Sequence, residues 1–75
     1  MAAGTFVGEV TWIDEEDGQA RIEYKDEDNE FNYDWVEGPD YKEAVGADPV
    51  VGTKVKCKRV DSGCGWGVAV TGLAK

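Results

Sequence analysis

The residues in this chain best equipped for chemistry are rings. Trp12, Tyr24, Phe31, Tyr33 and Trp35 crowd into the first half of the sequence, with Arg21 among them. An aromatic face stacks on a nucleobase of any type or accepts a cation, so the set points to recognition of a π-system or of a positive charge. Arg21 suits the first task as well, since its guanidinium plane can stack on a base and add charge. The residues needed for covalent or acid–base work are missing or uninformative. The chain has no histidine, and neither its cysteines nor Ser62 sits in a nucleophile elbow or beside a base. Carboxylates are so abundant that no pair stands out as an acid and its base, and no glycine-rich loop precedes a helix to cradle a phosphate. A non-catalytic binding module with no cofactor is expected.

The same inventory speaks against a metal. Cys57 and Cys64 are the 2 cysteines of the chain, and tetrahedral zinc needs four ligands. Asp26-Glu27-Asp28-Asn29-Glu30 is rich in oxygen, but it lacks the spacing and central glycine of a calcium loop. A hairpin tip at Ser62-Gly63 sets Cys57 opposite Val68, not Cys64, so both thiols are expected to be free, as in an intracellular protein.

Charge narrows the partners. The net charge of −8 is uneven: residues 14–43 carry thirteen acids against Arg21, Lys25 and Lys42, whereas residues 44–75 carry five bases against Asp48 and Asp61. An acidic front half repels phosphate and attracts basic partners, or simply keeps a small β-protein soluble. Lys54, Lys56 and Lys58 form a basic strip, which reads either as a phosphate track or as a solvated strand face. The 75 residues amount to one small domain, residues 1–75 with 1–4 as a tail. No apolar run reaches the ~18 residues that span a bilayer, and the N-terminus lacks the pattern of a secretory signal. An intracellular, cytoplasmic protein without a membrane partner is expected.

These side chains must be positioned by strands. Thr5 to Ile13 is rich in β-formers and reads as the first strand, closed by an acidic turn ending at Gly18. Ala20, Ile22 and Tyr24 alternate with Arg21, Glu23 and Lys25, the period of a strand with one wet face. Asp26 to Asn29 turns the chain, and Phe31, Tyr33 and Trp35 alternate along a third strand. Asp40 to Val45 predicts a short helical turn, with Asp40 as N-cap, Glu43 completing a capping box, and Gly46 as the stop. Gly52 to Val60 and Trp66 to Leu73 predict a second hairpin, and the glycines flanking Trp66 suggest a bulge or a tight corner. A three-strand meander, a short helical crossover and a two-strand hairpin predict an all-β, five-stranded antiparallel barrel, which leaves fewer bare edges than an open sheet. A barrel this small needs aromatic core, so at least one of Trp12, Phe31 and Tyr33 is expected to face inward, and Trp66 to pack in the core or at a corner.

The chain from Gly8 onward resembles the cold-shock domain, an OB-fold barrel. The family opens on G-x-V-x-W-x-N-x-E-x-G-x-G-x-I. Gly8, Val10, Trp12, Asp14, Glu16, Gly18, Ala20 and Ile22 fall on that pattern without a gap, with Asp for Asn and Ala for the second Gly. Phe31-Asn32-Tyr33 is similar to the third-strand F-x-H motif, and Gly52 through Thr71 to the closing strands. The resemblance implies single-stranded RNA or DNA held by stacking on Trp12, Phe31 and Tyr33. The second-strand phenylalanines of the family are replaced by Gln19 and Arg21, and its basic turn residue by Asp17, so the implied binding is weak.

Val10 to Trp35 also resembles Tudor-type, SH3-like barrels, through Ile22, Tyr24, Asp26, Asp28, Asn29 and Glu30. The run Gly63 to Val70 is similar to that family's G-x-W-x-x-A-x-V, in reversed chain order. This second resemblance implies a basic or methylated Lys/Arg peptide in an aromatic cage drawn from Trp12, Tyr24, Tyr33 and Trp35, with Asp26 and Asp28 alongside. A third reading takes the acidic surface itself as the functional feature, a mimic of nucleic acid that occupies a basic protein.

Overall fold

Strands β1 (Thr5–Asp14), β2 (Gln19–Lys25) and β3 (Phe31–Glu37) form a meander; helix α1 (Gly38–Val45) crosses over; β4 (Lys54–Ser62) and β5 (Gly65–Leu73) form the closing hairpin. The computed structural model of the chain describes residues 5–26, 28–62 and 65–74, the side chains of 61, 62 and 66 excepted. The sheet is antiparallel throughout, in the order β3-β2-β1-β4-β5. β1 is the spine of the fold: Thr5–Glu9 pairs with β4, while Gly8–Asp14 pairs with β2. This order, with a short helix between β3 and β4, is the small five-stranded antiparallel arrangement expected from the sequence. No helix among the described residues is long and apolar enough to cross a membrane.

One irregularity decides which rings are available. The β1–β2 register slips between Val10 and Trp12, making Thr11 an extra residue. Side chains two apart on a regular strand share a face. Val10 is fully buried, yet Trp12 is 57% exposed, because the bulge at Thr11 reverses the alternation. β3 turns its rings outward as well, and Phe31 and Tyr33 are 67% and 60% exposed. The expectation that one of Trp12, Phe31 and Tyr33 faces inward is therefore corrected. The interior is filled instead by Val10, Ile22, Tyr24, Val55, Cys57 and Tyr41, with Phe6 tilted against Tyr24 at a ring separation of 4.9 Å.

Gly8 lets these layers meet. A Cβ there would lie 2.6 Å from Ile22 Cγ2 and 3.2 Å from Cys57 Sγ, so only glycine fits where β1 crosses the core. Cys57 is a free, buried thiol, and burial pushes its pKa up to about 11. The β4–β5 register puts Val70 opposite Cys57, not Val68 as expected. The ladder closes on Ser62 and Gly65, and the expected tip at Ser62-Gly63 overlaps the residues between them. Gly63, Cys64 and the Trp66 side chain lie outside the described residues.

α1 begins earlier than Asp40. Glu37 is the N-cap, without a side-chain bond, and Pro39 sits in the first turn. Asp40 lies inside that turn, where it complements the positive helix end, and the expected capping box does not form. The helix start is fixed by a close backbone contact: the Gly38 N–H donates to the Gly18 carbonyl at 2.7 Å, and a Cβ on Gly38 would crowd the same oxygen at 2.9 Å. Gly46 ends the helix in the left-handed region (φ 90°), its N–H donating to Lys42 O at 2.7 Å. Tyr41, 1% exposed, plugs the barrel. Burial raises its phenol pKa, and Thr53 is its hydrogen-bond partner.

The two edge strands meet through a side chain. Asp34 Oδ2 accepts the Val68 N–H at 2.8 Å, and Oδ1 accepts the Trp35 N–H at 2.9 Å. A carboxylate thus supplies the bond that a β3–β5 ladder would make. Gly67 leaves room for it, since a Cβ there would stand 3.0 Å from Asp34 Oδ2.

Candidate functional site

The outward faces of β1, β2 and β3 form one continuous surface, and the register shows which side chains share it. Trp12 lies opposite Arg21, which lies opposite Trp35. Glu9 lies opposite Glu23, which lies opposite Tyr33, and Lys25 pairs with Phe31. Phe31, Tyr33 and Trp35 sit at alternate positions of one strand, ~7 Å from one to the next. Trp35, at 37%, is the least exposed of the set. Among the described residues none of these four rings contacts another. Each offers its own face, and a small monomer rarely leaves so much aromatic surface uncovered without an interaction to serve.

Cations are interleaved with the rings. The Arg21 guanidinium stands 5.5 Å from the centroid of Tyr33, and Lys25 Nζ 5.2 Å from that of Phe31. Arg21 is held by its Nε, which donates to Thr11 Oγ1 at 2.9 Å, so the bulge residue that turns Trp12 outward also orients the arginine. The acids on this surface are partly occupied. Glu9 meets Lys54 at 3.6 Å, and Glu37 accepts the Gln19 amide at 2.7 Å. The acids Glu15, Glu16, Asp17, Asp26, Asp28 and Glu30 lie in the turns at the rim, outside the ring-bearing rows.

The β2–β3 turn is built around Asp26. Its Oδ1 accepts the N–H groups of Asp28 (2.9 Å) and Glu30 (3.0 Å), and Oδ2 accepts the Asn32 amide at 2.6 Å. The Glu30 N–H first, then the Asn32 and Asp28 donors, hold its carboxyl below the usual range. Asn29 takes the left-handed conformation (φ 65°) that closes the turn.

Five of the six expected ligand residues therefore share one surface: Trp12, Arg21, Phe31, Tyr33 and Trp35. Tyr24 does not join them. It points inward at 7% exposure, and burial first, then the negative charges of Asp34 and Asp26, raise its phenol pKa. Lys54, Lys56 and Lys58 lie on the outward side of β4, opposite Glu9, Val7 and Thr5. They extend the surface away from Trp12, with Lys54 engaged by Glu9. Among the described residues no group of three or more acids, cysteines or histidines is placed to hold a metal.

Two participants were absent from the sequence reading. Lys25 had a usable signal, since residues flanking a tight turn face each other and thereby meet Phe31. Thr11 had none, because its role exists only through the bulge. Comparison of the chain with family models, with curated proteins and with solved structures finds no match.

Proposed function

We propose that this protein is a non-catalytic, intracellular binding module that holds single-stranded nucleic acid weakly on the outer face of β1–β3. The observation that carries the proposal is the single surface on which Trp12, Phe31, Tyr33 and Trp35 are all exposed, with Arg21 and Lys25 between them. Base–aromatic stacking contributes about 1–3 kcal/mol per base and tolerates any sequence. Arg21 and Lys25 supply short-range attraction to phosphate, while the acidic rim turns oppose it, so affinity is low and falls steeply with salt. The resemblance to cold-shock domains points the same way.

Titration of the intrinsic tryptophan fluorescence with oligo-dT at low salt tests the proposal. Quenching is expected, and the Phe31→Ala/Tyr33→Ala variant is expected to lose about thirtyfold or more in affinity, as removal of two stacking contacts implies. An unchanged emission at high micromolar oligonucleotide rejects it.

A basic or methylated peptide is the second reading, favoured by ring faces that already accept cations of the chain itself at Tyr33 and Phe31. The buried Tyr24 and the dispersed rings weigh against a closed cage. A methyl-lysine or methyl-arginine peptide that binds more tightly than oligo-dT would reverse the preference.

A further inference from the structure

Bordering the ring-bearing surface, and sharing Trp35 and Glu37 with it, a groove of about 500 Å³ runs between β3, α1 and β5. That volume lies within the range of clefts that hold small ligands, ~300–1,000 Å³. Its lining is apolar at Trp35, Val36, Ala44, Val68 and Val70, with the Tyr41 ring beneath, and charged at Glu37, Asp40 and Glu43, with no basic residue. The three acids are exposed, Glu37 also accepting the Gln19 amide at 2.7 Å, and the nearby Lys42 ammonium is directed to Asp48 at 3.9 Å.

The groove also offers backbone. β5 is an edge strand, paired only with β4. The Val68 N–H points away from β4, toward β3, as its 2.8 Å bond to Asp34 shows. Backbone groups two residues apart on a strand point to the same side. The Val70 N–H and C=O therefore face the groove too, and no backbone bond joins Val68, Ala69 or Val70 to β3 or α1 among the described residues.

We propose that this groove is a second binding site, adjoining the nucleic-acid surface at Trp35, and that its occupant is a short extended peptide alternating basic with small apolar residues. Such a segment adds to the β5 edge through main-chain bonds at Val70, a recurring mode of peptide recognition. Its apolar side chains settle on Val68, Val70 and Ala44, and its ammonium or guanidinium groups meet Glu37, Asp40 and Glu43. Charge complementarity selects this partner: a neutral strand leaves the acids unanswered, and an acidic strand or a nucleic-acid phosphate is repelled.

The test uses the full chain and a fluorescein-labelled peptide, Lys-Val-Lys-Val-Lys, followed by anisotropy and by amide chemical shifts. Saturable binding is expected, with the largest shifts at Ala69, Val70 and Glu43 and little change at Trp12, Phe31 and Tyr33. The Glu37→Gln/Asp40→Asn/Glu43→Gln variant should fold as the wild type and bind about tenfold more weakly, a few-fold for each partly exposed charge. Proline at the central position of the peptide should abolish binding by removing a donor. Four results overturn the proposal: no binding at millimolar peptide, an unchanged affinity in the triple variant, shifts confined to Trp12, Phe31 and Tyr33, or a concentration-dependent dimer of the free protein that buries the same edge. The third and fourth would assign the peptide to the ring-bearing surface and the groove to a second copy of the chain, respectively.

Discussion

Replacing Asp34 with alanine removes a carboxylate that accepts the Val68 and Trp35 N–H groups at 2.8 and 2.9 Å. The Trp35 bond is local, and water replaces it at little cost. The Val68 bond joins the two edge strands in a part-buried seam, so its donor is left poorly satisfied. Hydrogen bonds to charged groups contribute roughly 1.5–3 kcal/mol. We therefore expect Asp34→Ala to lose about 2 kcal/mol, and Asp34→Asn, which keeps an acceptor oxygen, about 1 kcal/mol. For a domain of this size each kcal/mol lowers Tm by ~4–8 °C, so the alanine variant should melt about 8–16 °C lower. Urea unfolding followed by tryptophan emission measures the difference, and amide exchange at Val68 locates it. A double-mutant cycle sharpens the test. Gly67→Ala places a Cβ 3.0 Å from Asp34 Oδ2, a clash that the Asp34→Ala background relieves. A coupling of at least about 0.5 kcal/mol is expected for groups in such contact. Additive losses together with unchanged Val68 exchange would refute the idea that this carboxylate closes the barrel.

Gly8→Ala should destabilise by about 1–3 kcal/mol, the usual cost of overpacking, because its Cβ would stand 2.6 Å from Ile22 Cγ2; urea melts report it. Cys57, buried and with its thiol pushed up to about 11, should resist a disulfide reagent at pH 8 in the native protein and react only on unfolding. Asp26 has a carboxyl pKa held below its unfolded value, so its contribution is complete above the ordinary carboxylate range and disappears as pH falls through the folded value. The Asp26→Asn variant should therefore show a flatter acid limb in a stability–pH profile, and an acid limb of unchanged slope would contradict the assignment.

The strand plan was legible because its signals are local. Alternation over Ala20–Lys25 and the turn residues at Gly18 and Asn29 act within a few positions, and the meander follows from them. The direction of each strand face was not legible in the same way. Period-2 spacing places Phe31, Tyr33 and Trp35 together but does not say whether they line the core or face solvent. The interior was instead completed by Tyr41, from a helix too short to show a clear apolar stripe, and by Tyr24 against Phe6. The seam rests on Asp34 meeting Val68, a pairing that no local pattern marks. The partner of Cys57 across β4–β5 was missed because no local pattern fixes that register, and only the ladder from Val55 to Ser62 places Val70 there.

The extra residue at Thr11 divides β1 into a segment that answers to both β4 and β2 and one that answers to β2 alone. Thr5 to Glu9 is matched to Lys58 through Lys54, while Trp12 to Asp14 is matched only to β2. Substitutions that tune the contact with β4 thus leave the presentation of Trp12 alone, and the reverse holds too. The same arrangement creates a vulnerability of another kind. Loss of a single codon at this point would preserve every residue type in the strand, yet turn an indole from solvent toward the interior and remove the acceptor that steadies Arg21. For this surface, the count of residues along the strand matters as much as their identity.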